Sequence, residues 1–275
     1  MANENRSSHK CLLCDKRQLC FPNPFLKKNI IMKSIILFVL TVATLTSNAQ
    51  TLLTPSKKSF DKRWIKNADY QMTWYALTDT AKFEMGKVTI QISTDKTNLI
   101  VVTQVSMKNM KTPWVDSTIA NLKTLKPIRH SSYNMQRDMV LNFGKTVTGF
   151  YNDKMKKNII TVNDTTKVDY FDSNLYPFLI GWLPLDNNYK QDISIYDYNP
   201  SAKIGVIKAS VKSVSSSTYQ TDKNGIRDVW VVAVSDEIGN GENGVSTYYF
   251  DKEDRKLWKQ EIDTNGRKMM MKLVE

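Results

Sequence analysis

Hydrophobic and polar residues alternate with a period of two along much of the chain after residue 50. The stretch Val88–Ser93 places Val, Ile and Ile at every second position, with Thr, Gln and Ser between them. Successive side chains of a β-strand point to opposite faces, so this alternation is typical of a strand with one buried face. The pattern predicts strands at Tyr70–Leu77, Val88–Ser93, Leu99–Met107, Met139–Phe143, Val147–Tyr151, Ile159–Val162, Ile193–Tyr198, Ile204–Val214, Asp228–Val234, Ser246–Phe250, Leu257–Ile262 and Lys268–Leu273.

The joints between these segments favour antiparallel pairing. Asn224-Gly225 and Asn265-Gly266 are typical of type I′ hairpin turns, in which both central residues need a positive φ. The glycine-rich stretch Gly239–Gly244 is expected to form a looser hairpin tip. Numerous strands with little helix between them predict a mainly β fold, either an antiparallel β-barrel or a strongly curved half-barrel. Closing or curling the sheet also hides edges that would otherwise aggregate.

One segment interrupts the alternation. Asp172, Ser173 and Asn174 are residue types that cap helices, and Pro177 falls within the first turn, where its missing N–H costs little. The sequence therefore predicts one short helix at about 174–182. Because the segment is apolar on all sides, it cannot lie on a wet surface. It is expected to plug the mouth of the barrel or to lie within the concave side of the curved sheet.

The N-terminal region contains a pattern typical of protein export. A positive charge at Lys33, an apolar run over residues 35–45 and a small residue at Ala49 follow one another in the order of a secretory signal peptide. Residues 32–49 are therefore predicted to be a signal peptide cleaved after Ala49, and the mature protein is predicted to be periplasmic or secreted. The apolar run is shorter than the ~20 residues of a transmembrane helix, so no transmembrane segment is expected after signal cleavage.

Residues 1–31 form an N-terminal extension with two interpretations. Cys11, Cys14 and Cys20 lie near His9, but the spacing lacks the two ligand pairs of most small zinc modules. The preferred interpretation is an over-extended reading frame whose true start is at residue 32.

Residues 50–275 are predicted to form a single β-rich domain. They contain no cysteine, so no disulfide can hold them together, and no Pro/Gly/Ser-rich linker divides them. A short mobile segment, Thr51–Lys58, is expected to precede the first strand.

The distribution of charge argues against a nucleic-acid partner. The chain carries 39 Lys and Arg against 27 Asp and Glu, a net charge of +12. Its lysines are interleaved with acidic residues, as in Asp251–Lys256, and do not form one basic block. This arrangement favours solvated polar faces. An exported protein also meets little nucleic acid, so none is expected as a partner.

Few residues of the mature region support catalysis. Its single histidine, His130, adjoins Ser131 and Ser132, but adjacent residues on a strand point to opposite faces, and no Gly-x-Ser-x-Gly elbow is present. No glycine-rich phosphate loop occurs either. One histidine with carboxylates is a poor zinc site. We therefore expect a non-enzymatic protein without a metal or a cofactor.

Paired carboxylates leave one catalytic alternative open. Glycoside hydrolysis needs two Asp or Glu residues across a groove. The candidate pairs are Asp169 with Asp172, and Asp251 with Glu253 or Asp254. The second set resembles a charged turn between strands, so a carboxylate-dependent hydrolase is the less favoured hypothesis.

Apolar residues in or beside the predicted helix and strands are the candidate ligand contacts. A barrel wide enough to hold a helix is also wide enough to hold an apolar ligand. Packing of the core is the alternative explanation for these side chains. The candidate ligand-binding residues are Tyr176, Phe178, Leu179, Trp182, Trp230, Tyr248 and Trp258.

The C-terminal half is similar to a known family. The apolar segment Leu175–Leu185, the polar strand Asp192–Tyr196 and the segment Thr247–Ile262 carry the similarity. They resemble the domain-of-unknown-function 3108 family of exported bacterial proteins, over most of Tyr70–Leu273. The resemblance implies a periplasmic, strand-rich, barrel-like domain and provides no catalytic residues. More distantly, a curved sheet with a helix in its mouth resembles the lipoprotein-carrier fold of the Gram-negative periplasm.

These observations favour two functions. The leading hypothesis is a non-enzymatic periplasmic or envelope-associated protein that holds an apolar small molecule, such as a lipid or an acyl chain, in its barrel or half-barrel. The alternative is a structural or protein-interaction module of the cell envelope, with a filled barrel, an envelope protein as its partner and its function on loops such as Gly239–Gly244. An apolar void of a few hundred cubic ångströms under the helix favours the first hypothesis.

Overall fold

Fifteen strands form one continuous sheet in the described part of the chain. The computed structural model describes residues 51–57, 60–238, 244–264 and 266–275. The predicted extension (1–31), the predicted signal peptide (32–49) and most of the glycine-rich tip (239–243) lie outside these ranges. The strands are β1 (Ala68–Leu77), β2 (Lys82–Thr94), β3 (Asn98–Met107), β4 (Trp114–Asn121), β5 (Pro127–Tyr133), β6 (Arg137–Asn142), β7 (Thr146–Asp153), β8 (Asn158–Thr165), β9 (Phe171–Asp172), β10 (Gln191–Tyr198), β11 (Ile204–Gln220), β12 (Ile226–Asp236), β13 (Val245–Asp251), β14 (Leu257–Thr264) and β15 (Arg267–Leu273), and the α-helix is α1 (Tyr176–Trp182).

The strands follow one another as an antiparallel meander with two exceptions. The first and last strands, β1 and β15, pair side by side in the middle of the sheet, with Met72 opposite Leu273. The two-residue strand β9 is parallel to β10. The order across the sheet is β8-β7-β6-β5-β4-β3-β2-β1-β15-β14-β13-β12-β11-β10-β9, so β8 and β9 are its two edges.

The sheet curls until side chains from its two ends meet. The cluster that joins them, which we call the seam, consists of Met139, Leu141, Val147, Val162, Tyr170, Tyr196 and Tyr198. The rings of Tyr151 on β7 and Tyr198 on β10 have centroids 5.9 Å apart. In the described sheet no backbone ladder joins β8 to β9, so apart from the connecting residues 166–170 these ends are held together by side chains. The predicted mainly β fold is thereby confirmed, as a strongly curved sheet.

Every strand predicted from the alternation is present. The alternation does not predict β4, β5 or β9. The chain before β1 also differs from expectation, because it is anchored and not a mobile segment. Leu53 is buried, donates its backbone N–H to Asp192 (2.8 Å) and accepts the N–H of Ser194 (2.9 Å).

One predicted turn is wrong. Of Asn224-Gly225, only Gly225 has a positive φ, +71°, whereas a type I′ turn needs two such residues. The Thr221 hydroxyl accepts the backbone N–H of Asn224 (2.8 Å) and donates to the carbonyl of Gly225 (2.8 Å). These hydrogen bonds stabilise a longer loop between β11 and β12.

Helix α1 lies within the curved sheet. Its buried residues are Tyr176, Leu179, Ile180, Gly181 and Trp182. Pro177 is in the first turn, as predicted. Gly181 lies so close to the sheet that a Cβ added to it would stand 2.8 Å from the Phe250 ring. The predicted short buried helix is confirmed. Among the described residues, none of the helices has the length and apolarity needed to cross a bilayer.

Candidate functional site

A cavity of about 800 Å³ lies between α1 and the inner face of the central strands. Most of its wall comes from β1, β2, β3, β14 and β15. Its volume falls in the range of roughly 300–1,000 Å³ that is typical of ligand pockets. The apolar and aromatic residues that line it are Trp64, Ala68, Tyr70, Met72, Trp74, Val88, Ile90, Ile92, Val105, Trp114, Pro177, Phe178, Gly181, Trp182, Phe250, Leu257, Trp258, Ile262, Met271, Leu273 and Val274.

The apolar wall follows from the alternation within the strands. Tyr70, Met72 and Trp74 occupy every second position of β1 and line the cavity together. Across the ladder, Met72 pairs with Val88 and Tyr70 pairs with Ile90, so neighbouring strands place apolar side chains on the same face. From the first residue of β1 to Trp74 the wall extends roughly 20 Å, at ~3.3 Å per residue. The apolar wall therefore follows β1 from Ala68 to Trp74.

Helix α1 provides the facing wall. Phe178, Gly181 and Trp182 line the cavity. The backbone carbonyl of Trp182 accepts the N–H of Asp61 (2.8 Å). This hydrogen bond fixes the end of the helix beside the short 3-10 turn that carries Trp64, which also lines the cavity.

Six charged side chains also line the cavity. The cations are Lys66, Arg255 and Lys256, and the carboxylates are Asp69, Asp254 and Glu275. All three carboxylates have partners. Asp69 accepts a hydrogen bond from the Gln91 amide (3.2 Å), and Asp254 lies 3.8 Å from the Lys256 ammonium. The Glu275 carboxylate accepts three successive backbone N–H groups of the β11–β12 loop.

Arg255 carries an unpaired charge at this end of the cavity. Its guanidinium lies over the Trp64 ring, 4.9 Å from the centroid, and its Nε and Nη1 atoms are buried without a hydrogen-bond partner in the described part of the chain. Burial and then the charge of Arg63 lower the pKa of Arg255, and Asp61 opposes them. Asp61 is ion-paired with Arg63 instead (2.6 Å). Lys66 also has no described carboxylate within ion-pair distance.

The turn between β13 and β14 directs Arg255 inward. Arg255 has a φ of +64° and donates its backbone N–H to the carbonyl of Asp251 (3.1 Å). The turn between β4 and β5, at the same end of the sheet, has the same form. Its Leu125 has a φ of +58°, donates to the carbonyl of Asn121 (2.7 Å) and is fully buried. Both turns therefore direct the side chain of their left-handed residue inward. This residue is Leu125 in the turn between β4 and β5, and Arg255 in the turn between β13 and β14.

A buried polar cluster lies on the inner face of the sheet at β4 and β5. His130 Nδ1 lies 2.9 Å from Oδ2 of Asp172, and both residues are buried. The Thr118 hydroxyl donates to the same carboxylate, and the Asn174 amide donates to the Thr118 oxygen (3.1 Å). Asn174 also lines the cavity, so this cluster lies directly behind the cavity wall.

The charge of Asp172 controls the protonation of His130. Burial opposes protonation, but the charge of Asp172 and its hydrogen bond outweigh burial, so the pKa of His130 is raised. The charge of Asp116 adds to this effect and the charge of Arg137 opposes it. The Nε2 atom of His130 is buried without a described hydrogen-bond partner. No hydroxyl among the described residues therefore pairs with His130 as a nucleophile pairs with its base.

Comparison with known proteins assigns the sequence of this domain to a family. A family model described as "Protein of unknown function (DUF3108)" matches residues 69–272, which is most of the chain. The chain belongs to this family. The resemblance to that family, seen in the sequence over most of Tyr70–Leu273, is thereby confirmed. A search of curated proteins found no match.

In this DUF3108 domain, the predicted ligand-binding residues divide between the cavity and the core. Those in the cavity wall are Phe178, Trp182 and Trp258. Those packed in the core are Tyr176, Leu179, Trp230 and Tyr248. Tyr176 donates its hydroxyl to Asp236, and burial raises its pKa. The Lys252 ammonium lies 4.3 Å from the centroid of the Trp230 ring.

The ligand-binding residues predicted from the sequence include none of the β1 and β4 residues that line the cavity. Tyr70, Met72 and Trp74 alternate on one face of β1, and Trp114 lies on the same face of the sheet three strands further on. The alternation shows that β1 has one apolar face. It does not show whether that face is concave, because curvature is a property of many strands together.

The carboxylates considered for hydrolysis are engaged in structural contacts. Asp251 is buried and accepts hydrogen bonds from Arg227 (2.8 Å) and the Trp258 indole (2.9 Å). Burial alone would raise the pKa of Asp251, but these hydrogen bonds outweigh it and the pKa is lowered. Asp169 is exposed and ion-paired with Lys126 (3.2 Å). Across the described DUF3108 domain, no group of three or more potential metal ligands occurs.

Proposed function

We propose that the chain is an exported, non-enzymatic protein that holds an elongated apolar ligand, such as a lipid or an acyl chain, in the cavity under α1. The observation that carries this proposal is the apolar-walled volume of about 800 Å³ between the helix and the curved sheet. A pocket of this size and composition is the usual form of a small-molecule site. The signal-like pattern at residues 32–49 supports export.

The composition of the cavity wall favours an apolar ligand. The cavity is partly open to solvent, so water enters it when no ligand is bound. An apolar ligand would remove the apolar wall from contact with that water, which is favourable. A filled barrel, the alternative drawn from the sequence, leaves this volume without an explanation.

The surroundings of His130 and of Asp251 support a role without catalysis. His130 has no hydroxyl partner among the described residues, so it lacks a nucleophile to activate. Asp251 stabilises the β13–β14 turn through Arg227 and Trp258. Both groups are accounted for by folding.

A matched pair of variants on β3 tests the proposal. Val105 lines the cavity, whereas Val102 faces the other side of the strand. Val105→Phe should fill part of the volume and weaken binding of a neutral apolar fluorescent probe by about tenfold or more, because the added ring takes up space and wall area that the probe would contact. Val102→Phe should leave binding unchanged. Mass spectrometry of an organic extract of the purified full chain should detect co-purified lipid.

An extract free of lipid, together with no saturable binding of the neutral probe, would overturn the proposal. Equal loss of binding in both valine variants would also count against it, because the effect would then come from general destabilisation.

A further inference from the structure

The local fold presents Arg255 to the cavity at a conformational cost. A left-handed backbone costs a residue with a Cβ roughly 1–2 kcal/mol, and Gly or Asn tolerates it better. Arg255 adopts this conformation with a φ of +64°. Asp251 stabilises this turn. Its carboxylate accepts the backbone N–H of Glu253 (2.8 Å) and a hydrogen bond from Arg227. The arginine is therefore aimed by a rigid turn.

The guanidinium of Arg255 has donors but no described acceptor. Its Nε and Nη1 are buried and unpaired, and the Trp64 ring covers one side. Leaving a buried charged donor unpaired is costly, and the cost is removed when an acceptor binds. Arginine presents its N–H groups as a fork that matches the two oxygens of a carboxylate or a phosphate.

The charges around the cavity favour an anion at this position. The nearby carboxylate of Asp61 is ion-paired with Arg63, and Asp254 lies against Lys256. Among the cations of the lining, Arg255 and Lys66 have no described carboxylate partner, whereas each carboxylate of the lining accepts hydrogen bonds or lies beside a cation. An apolar wall begins beside them with Ala68 and Tyr70 of β1.

We propose that Arg255 binds the anionic head group of the ligand, a carboxylate or a phosphate, while the apolar chain extends along β1 under α1. The ligand class is thus a single-chain anionic amphiphile. This inference rests on the proposed function, because it assigns the polar end of the same cavity.

The test uses the full chain, stripped of lipid, and three probes that share one alkyl chain: hexadecanoate, hexadecyl phosphate and hexadecanol. Each probe competes with a neutral fluorescent ligand at pH 7.5. The wild type should bind at least one of the two anions more tightly than hexadecanol. Arg255→Asn should weaken binding of that anion by about tenfold to a hundredfold, as expected for a lost charge-assisted hydrogen bond, and leave hexadecanol unchanged.

Two further variants separate binding from folding. Asn tolerates the left-handed backbone, so Arg255→Asn should unfold at the same temperature as the wild type or higher. Arg255→Lys keeps the charge and should retain part of the anion affinity. Arg129→Gln removes an exposed guanidinium on β5 that does not line the cavity, and it should change none of the three affinities.

The outcomes distinguish the two proposals. If Arg255→Asn weakens binding of hexadecyl phosphate alone, the head group of the ligand is a phosphate. If it weakens binding of hexadecanoate alone, the head group is a carboxylate. Unchanged anion binding in Arg255→Asn, or equal binding of hexadecanol and both anions by the wild type, would overturn the role of Arg255 and leave the apolar cavity standing. Failure of every probe to bind the wild type would overturn the proposed function itself.

Discussion

At the scale of single residues, the contact between His130 and Asp172 couples proton binding to folding. The pKa of His130 is raised in the folded protein, because the charge and hydrogen bond of Asp172 outweigh burial. A group with a raised pKa stabilises the fold fully below its unfolded pKa, which is about 6.5 for histidine. That contribution is lost as the pH rises through the higher folded pKa.

We therefore expect the free energy of unfolding to decrease as the pH rises above about 6.5. Asp172→Asn removes the charge that favours protonation, so the pKa of His130 should fall under the remaining effect of burial. The variant should lose this pH-dependent contribution, and it should be about 1–3 kcal/mol less stable near pH 6. Urea unfolding across this pH range and an NMR titration of His130 measure the two effects.

Asp169→Asn is the matched control for this experiment. Asp169 lies three residues earlier, is exposed and is paired only with Lys126 at the surface. Its removal should leave the His130 titration unchanged. If the titration in Asp172→Asn also stays where it is in the wild type, Asp172 does not set the pKa of His130.

Residue by residue, the sequence could identify the charged groups but not their surroundings. His130 is the single histidine after residue 50, and Arg255 belongs to an evidently charged turn. The partner of His130 lies 42 residues away in the sequence. Arg255 points inward because its backbone is left-handed, and an arginine in a sequence does not indicate a left-handed backbone. Both features arise only from tertiary structure.

At the scale of elements, the strands missed by the alternation have an identifiable cause. Strands β4 and β5 place Asp116, Thr118, His130 and Ser132 on the inner face. Where the buried face is itself polar, hydrophobic residues no longer mark every second position, and the period-two signal disappears. Strand β9 has only two residues and is too short to show a period. On the other strands the inner face is apolar, so the alternation is visible there and these strands were predicted correctly.

The packing of α1 against β13 leads to a prediction for Gly181. Alanine at this position gains ~1 kcal/mol of helix propensity. Its Cβ would lie 2.8 Å from the ring of Phe250, which is buried and has little room to move. Overpacking of this kind costs ~1–3 kcal/mol, so Gly181→Ala should destabilise the protein by about 1 kcal/mol in thermal or urea unfolding. The double variant Gly181→Ala with Phe250→Leu should recover part of this loss, and additive losses would contradict a contact between the two positions.

At the scale of the whole molecule, the seam is the place where side chains join the two ends of the curled sheet. Tyr196 is almost fully buried there, and its ring lies 5.7 Å from that of Phe143 and 5.1 Å from that of Tyr170. Backbone hydrogen bonds propagate stability along a ladder, but they do not cross this junction. The stability of β6–β8 therefore depends on the aromatic contacts of the seam.

Tyr196→Ala should lower the free energy of unfolding by about 3–5 kcal/mol, as for other large aromatic truncations. Hydrogen exchange should accelerate most in β6, β7 and β8, because these strands lose their contact with β10. Tyr248→Ala provides a control, since Tyr248 is equally buried but lies in the main core. It should cost a similar amount without singling out β6–β8. The same exchange pattern in both variants would show that the seam is not a separate unit.

The pairing of β1 with β15 has a consequence for how the chain tolerates shortening. Residues 267–273 lie between β1 and β14 in the middle of the sheet. A premature stop codon before residue 267 would therefore remove the strand that joins the two halves of the sheet, and only the seam and the connection between β8 and β9 would then hold these halves together.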